Sequence, residues 1–102
     1  MEQDRDFQLS NEQRDKLCEM MYFAFLEIRS LGGQGKAEQA ADLADAFHNL
    51  PKDMWTDSFD LVEFRNLYLR PYQEKYSGQA TRNYVDLVTD IILMGNPDYS
   101  GN

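Results

Sequence analysis

Met20-Met21-Tyr22-Phe23-Ala24-Phe25-Leu26 is the longest unbroken apolar run in the chain, and its reading decides the fold. A strand would favour β-branched residues, and none occurs here before Ile28, whereas Met, Leu, Ala and the neighbouring Glu are helix formers. As a helix, Leu17, Met20, Met21, Ala24, Ile28 and Leu31 recur at helical spacing. The run itself covers every side of two turns, and a helix that is apolar all round is buried all round. Helix one is therefore expected to be central, or shared with a second chain. Ser10 with Gln13 forms a capping box at its start, and Gly32-Gly33 is expected to supply the left-handed residue at its end.

Working outward, a second helix is predicted over residues 36–49. Ala37, Ala40, Ala41, Ala44 and Phe47 form its apolar face, and Glu38, Asp42 and Asp45 its opposite side. Leu50-Pro51 forbids continuation, and residues 52–59 read as a connecting segment containing Trp55. Asp60 with Glu63 opens a third helix carrying Leu61, Phe64, Leu67 and Tyr68 on one side. Pro71 removes an amide and clashes with the preceding turn, so this helix is expected to be kinked or broken there. Tyr72 and Tyr76 extend its stripe as far as Gly78. A fourth helix starts at Thr81 or Asn83, buries Tyr84, Leu87, Val88 and Ile91, and stops at Gly95 and Pro97. The pattern predicts an all-α fold, a small four-helix bundle-like domain. It forms a single domain over residues 1–102, with 1–9 and 96–102 as flexible tails.

Composition narrows function by exclusion. The 102 residues carry 18 acidic and 10 basic side chains, a net charge of −8 and a pI near 4.4. A field of that sign repels nucleic acid and anionic membrane and attracts basic partners. The 13% aromatic content is too rich for a disordered chain. No signal-peptide pattern is present, and the longest apolar run falls far short of the roughly 20 residues that cross a bilayer. Cys18 has no second cysteine to pair with, which fits a reducing cytoplasmic setting.

Chemistry-bearing motifs are sparse. Cys18 and His48, one of each type, fall short of a zinc site, and nothing around Cys18 activates it as a nucleophile. Asp45 and His48 share a helical face, but the simplest role for His48 is to bond a carbonyl at the negative end of its helix. Gly32-Gly33-Gln34-Gly35-Lys36 lacks the preceding strand and the spacing of a phosphate loop. No cofactor, metal or enzymatic activity is expected.

Surfaces remain. Glu38, Asp42 and Asp45 form an acidic row at i, i+4 and i+7, with Lys36 the nearby cation in sequence. Phe64, Tyr68, Tyr72 and Tyr76 are spaced by four residues, with Phe64 and Tyr68 expected inside and Tyr72 and Tyr76 at the rim. Together with Trp55, this is the composition of interaction hot spots. The candidate interaction surface is therefore Glu38, Asp42, Asp45, Trp55, Tyr72 and Tyr76. Met21, Tyr22 and Phe25 are candidate contacts of a homodimer. The leading expectation is a non-enzymatic, acidic helical protein-interaction module with a basic protein partner. The alternative is an inhibitor or nucleic-acid mimic, of immunity or anti-CRISPR type, that blocks a basic groove. That analogy is one of size and charge, and it carries over no residue.

Overall fold

The computed structural model describes residues 9–56, 60–80 and 82–95. The expected tails at 1–8 and 96–102, and Thr81 as a helix start, lie outside them. The described residues are helical, with no strand among them: α1 (Asn11–Gly33), α2 (Ala37–Phe47), α3 (Leu50–Thr56), α4 (Leu61–Glu63), a π-helical segment (Phe64–Leu69), α5 (Arg70–Lys75) and α6 (Tyr84–Gly95). No helix among them is long and apolar enough to cross a membrane.

Helix α1 begins as its sequence dictates. The Ser10 hydroxyl accepts from Gln13 N–H at 3.1 Å, and the Gln13 side chain accepts from Ser10 N–H at 2.9 Å, so two orphan donors are satisfied reciprocally. Its end differs from expectation. Gly32 and Gly33 stay within the helix, and the left-handed residue is Gly35, at φ +81°. Lys36 N–H donates to Leu31 C=O at 2.9 Å and Gly35 N–H to Gly32 C=O at 3.2 Å, the paired bonds of a Schellman motif. Leu9, assigned to a tail by the sequence, is buried against the core.

Helix α1 packs on α2 and α6, and α6 in turn packs on the π segment. Leu17, Leu43, Phe47, Leu50, Leu69, Tyr84, Val88 and Ile92 are the most completely buried large side chains. Phe47 is the hub of an aromatic cluster, meeting Phe64 at 5.6 Å and Tyr84 at 5.3 Å edge-to-face, geometries worth about 0.5–1.5 kcal/mol each beyond burial. On α2 the buried face is Gln39, Ala40, Leu43, Ala46 and Phe47. Ala37 and Ala41 face solvent, because one bulky Leu43 and a hydrogen-bonded Gln39 set the rotation that an alanine count misplaced.

Two further departures shape the surface. Residues 50–56, expected to connect, form α3, with Pro51 in its first turn where the missing N–H costs nothing. Between Asp60, whose carboxylate caps Val62 and Glu63 N–H, and Lys75, the winding changes to π from Phe64 to Leu69, with Arg70 N–H bonding Arg65 C=O. An α-helix would drive the Pro71 ring into the carbonyl four residues earlier, and the wider π turn ahead of it relieves that crowding. One extra residue in the turn also resets the helix face. The buried positions become Phe64, Leu69, Tyr72 and Tyr76, so a spacing of five replaces one of four at the π segment.

Candidate functional site

The acidic row on α2 faces α5. Lys75 Nζ reaches Asp42 Oδ2 at 2.8 Å and Glu38 Oε2 at 3.1 Å, and the Tyr76 hydroxyl donates to Asp42 Oδ2 at 2.5 Å. The sequence offered only Lys36 as a counter-charge, and the cation that serves lies far along the chain on another helix. These hydrogen bonds, Lys75 first and Tyr76 second, hold the Asp42 carboxyl below its ordinary range. The same contacts hold the Lys75 ammonium well above its ordinary range. Tyr76 is raised, chiefly by its bond to the Asp42 carboxylate. Asp45, one turn on, is exposed and makes no ion pair among the described residues. His48 Nδ1 lies 2.7 Å from Asp45 C=O and closes the helix end, as the sequence suggested.

Beside this row runs a groove of about 490 Å³ between α2 and the π segment, walled by Asp42, Asp45, His48, Leu67, Tyr68 and Pro71 among others. In the aromatic ladder Phe64 is buried as expected, but the three tyrosines are placed opposite to expectation. Tyr72 and Tyr76 are buried, Tyr72 accepting from Gln39 Nε2 at 3.0 Å, whereas Tyr68 is 40% and Leu67 60% exposed. The inserted residue of the π segment turns Leu67 and Tyr68 outward and draws Leu69, Tyr72 and Tyr76 inward. Tyr68 also walls a smaller cavity of about 90 Å³ whose other walls include Asp53, Asp60 and Glu63. It therefore stands between two acidic recesses. Glu38, Asp42 and Asp45 are brought to one face as expected. Trp55 is 84% exposed on α3 and is not a wall of either recess.

A second exposed region is the outer side of α1. Tyr22 is 61% and Phe25 49% exposed, with Leu26 also exposed and Met21 half-buried. Between α1 and α6 lies a third feature, an apolar groove of about 380 Å³ walled by Met20, Phe23, Leu87, Ile91 and Met94. There the Arg82 guanidinium sits 4.5 Å from the Phe23 ring centroid.

Inside, Glu27 of α1 is 6% exposed and accepts from the Tyr84 hydroxyl at 2.5 Å, within the range of hydroxyl–carboxylate bonds. Burial first, and the Glu27 carboxylate second, push the Tyr84 hydroxyl far above its ordinary value. Gln13 Nε2 donates to Ile91 C=O at 3.0 Å. Among the described residues no buried side-chain nitrogen or oxygen lacks a partner, so this polar core is satisfied and structural. No group of three or more His, Cys, Asp or Glu side chains among them is placed to hold a metal ion. No protein-family model, curated protein or solved structure matches the chain.

Proposed function

We propose that the chain is a non-enzymatic protein-interaction module that docks a basic segment of a partner protein against the face formed by α2 and the π segment. The observation that carries this reading is Tyr68, turned outward by the π winding and flanked by acidic recesses on both sides. An exposed tyrosine beside Leu67 offers an apolar anchor, and Asp45 with the half-satisfied row around Asp42 offers charge to a lysine or arginine. The net charge of −8 directs such a surface away from nucleic acid and towards basic protein. An exposed, unpaired Cys18 suits the reducing cytoplasm as its setting.

The inhibitor or nucleic-acid-mimic reading has less support. A mimic needs free carboxylates aligned on one face, but Lys75 ties up two of the three in the row. Other exposed carboxylates, such as Glu12, Glu19, Glu74 and Asp86, are distributed over α1, α5 and α6.

The test is affinity capture from the native cell with quantified affinity for whatever protein is retained. Tyr68→Ala is expected to weaken binding roughly 30-fold, the effect of losing a hot spot worth about 2 kcal/mol. Asp45→Lys should weaken it in a salt-dependent way, and Asp86→Lys on α6 should not. Wild-type affinity in both the Tyr68→Ala and the Asp45→Lys proteins would overturn the assignment of this face.

A further inference from the structure

The outer side of α1 is a second surface, independent of the acidic face. Asn11, Asp15, Cys18, Tyr22, Phe25 and Arg29 follow one another at alternating steps of four and three, the spacing that keeps a single stripe on a helix. All six are exposed. The opposite side of the helix, with Leu17, Met20, Ala24 and Leu31, is already used by the chain's own core. The stripe is apolar at its middle, where Leu26 widens it, acidic at one end and basic at the other. Asp15 and Arg29 make no ion pair with any residue of the chain among those described.

We propose that a second copy of this chain docks on this stripe, antiparallel and centred on Tyr22. The charge order selects that occupant and that direction. A two-fold contact must be complementary to itself: with the axis across the helix the stripe meets its own image reversed, and with the axis along the helix each residue meets its own copy. With Tyr22 on the axis, Asp15 lies opposite Arg29 of the second copy, and Arg29 opposite its Asp15. Cys18 then faces Leu26 of the second copy. Parallel packing places Asp15 against Asp15 and Arg29 against Arg29, and is repelled at both ends. From Asp15 to Arg29 the stripe is about 21 Å long at 1.5 Å per residue. With a helix about 10 Å wide, such a stripe covers roughly 200 Å², less than the roughly 800 Å² per partner of a standard interface, so dissociation constants on the order of 10–100 μM are expected.

Sedimentation equilibrium of the full chain, with far-ultraviolet circular dichroism to confirm folding, tests the placement. Wild type is expected to show a monomer–dimer equilibrium. Arg29→Asp and Asp15→Arg should each shift it to monomer, and the double variant D15R/R29D should restore the dimer. Asp15→Arg is the sharper of the two single changes. It moves the net charge from −8 to −6, which by itself would ease association, whereas the proposed contact requires weakening. Oxidative cross-linking gives a second, geometric readout. In the antiparallel pair the two Cys18 α-carbons are about 12 Å apart along the axis, beyond the roughly 7 Å that a disulfide spans. Wild type should therefore resist cross-linking through Cys18, while Tyr22→Cys in a Cys18→Ser background should cross-link readily. A monomeric wild type across this concentration range, a failure of the double variant to restore the dimer, or efficient Cys18 cross-linking would each overturn the proposal.

Discussion

The outer stripe of α1 and the groove beside α2 are both exposed, but they arrange charge in opposite ways. The α1 stripe has Tyr22, Phe25 and Leu26 at its middle and opposite charges at its two ends. The groove is predominantly acidic: Asp42 and Asp45 on one wall against Lys75, which is already tied to Asp42 and Glu38, and Asp53, Asp60 and Glu63 beyond Tyr68. Meeting its own image, the groove would set carboxylate against carboxylate, so it calls for a different and basic molecule. The stripe, reversed, meets its complement. The order of charges along a surface, rather than its exposure or apolar content, separates a face suited to self-association from one suited to a foreign partner.

Both faces rest on one core, and the largest effect should come from breaking it. Phe47→Ala removes the ring that joins Phe64 and Tyr84, and is expected to cost about 3–5 kcal/mol in chemical denaturation and to disable both surfaces together. Loss of one face with the other intact would show that they belong to separate units.

Alkaline pH should act on the same core more gradually. Burial raises the hydroxyls of Tyr84 and Tyr72, and the bond to Asp42 raises Tyr76, all above the ordinary 10.0. A group whose folded pKa is raised contributes stability that is fully present below its unfolded value and is lost as pH rises through the folded value. Stability should therefore hold to about pH 10 and fall above it, with these tyrosines ionising only as ellipticity is lost. Asp42 carries the opposite sign. Its contribution is present above the ordinary 3.8 and disappears as pH falls through its lowered folded value.

Smaller changes should separate the faces. Tyr22→Glu places a charge at the centre of the stripe, where the side chain is exposed, so the expected outcome is a stable monomer with unaltered affinity for the basic partner. Loss of both properties would merge the two surfaces into one. Lys75→Met should have the smallest effect. It frees Glu38 and leaves Asp42 bonded to Tyr76, so the basic partner should bind modestly tighter at low salt, while self-association is unchanged. Weaker binding would indicate that Lys75 positions the row rather than competing for it.

Much of the scaffold is legible in the sequence. The Ser10 and Asp60 caps and the inward Leu17, Met20, Ala24 and Leu31 follow from local patterns of the kind a sequence displays. The all-round burial expected of Met20 to Leu26 does not hold, because α2 and α6 cover only one side of α1 and leave Tyr22, Phe25 and Leu26 exposed. The site was less legible, for two reasons. The partner of Glu38 and Asp42 is Lys75, a contact between distant helices that no local spacing announces. The exposure of Tyr68 depends on one residue of helical slip between Phe64 and Leu69. A reading at uniform α pitch keeps Phe64, Tyr68, Tyr72 and Tyr76 on one stripe, and a helix interrupted at Pro71 then put Tyr68 inside and Tyr72 and Tyr76 at the rim, the reverse of their positions. Pro71 was the available signal. It pointed to an irregularity in that helix, and the irregularity observed is the π winding in the turns before it.

The measurement that tests the contrast most directly is a series of amide-resolved NMR spectra, first on dilution of the chain alone and then on addition of a lysine- and arginine-rich peptide to the dilute protein. The account predicts that dilution moves the amides of Asp15, Cys18, Tyr22, Phe25 and Arg29 and leaves those of Asp42, Asp45 and Tyr68 in place, and that the peptide does the reverse. Resonances of both faces moving together in either experiment, or an α1 stripe that shifts with peptide and not with concentration, would contradict it.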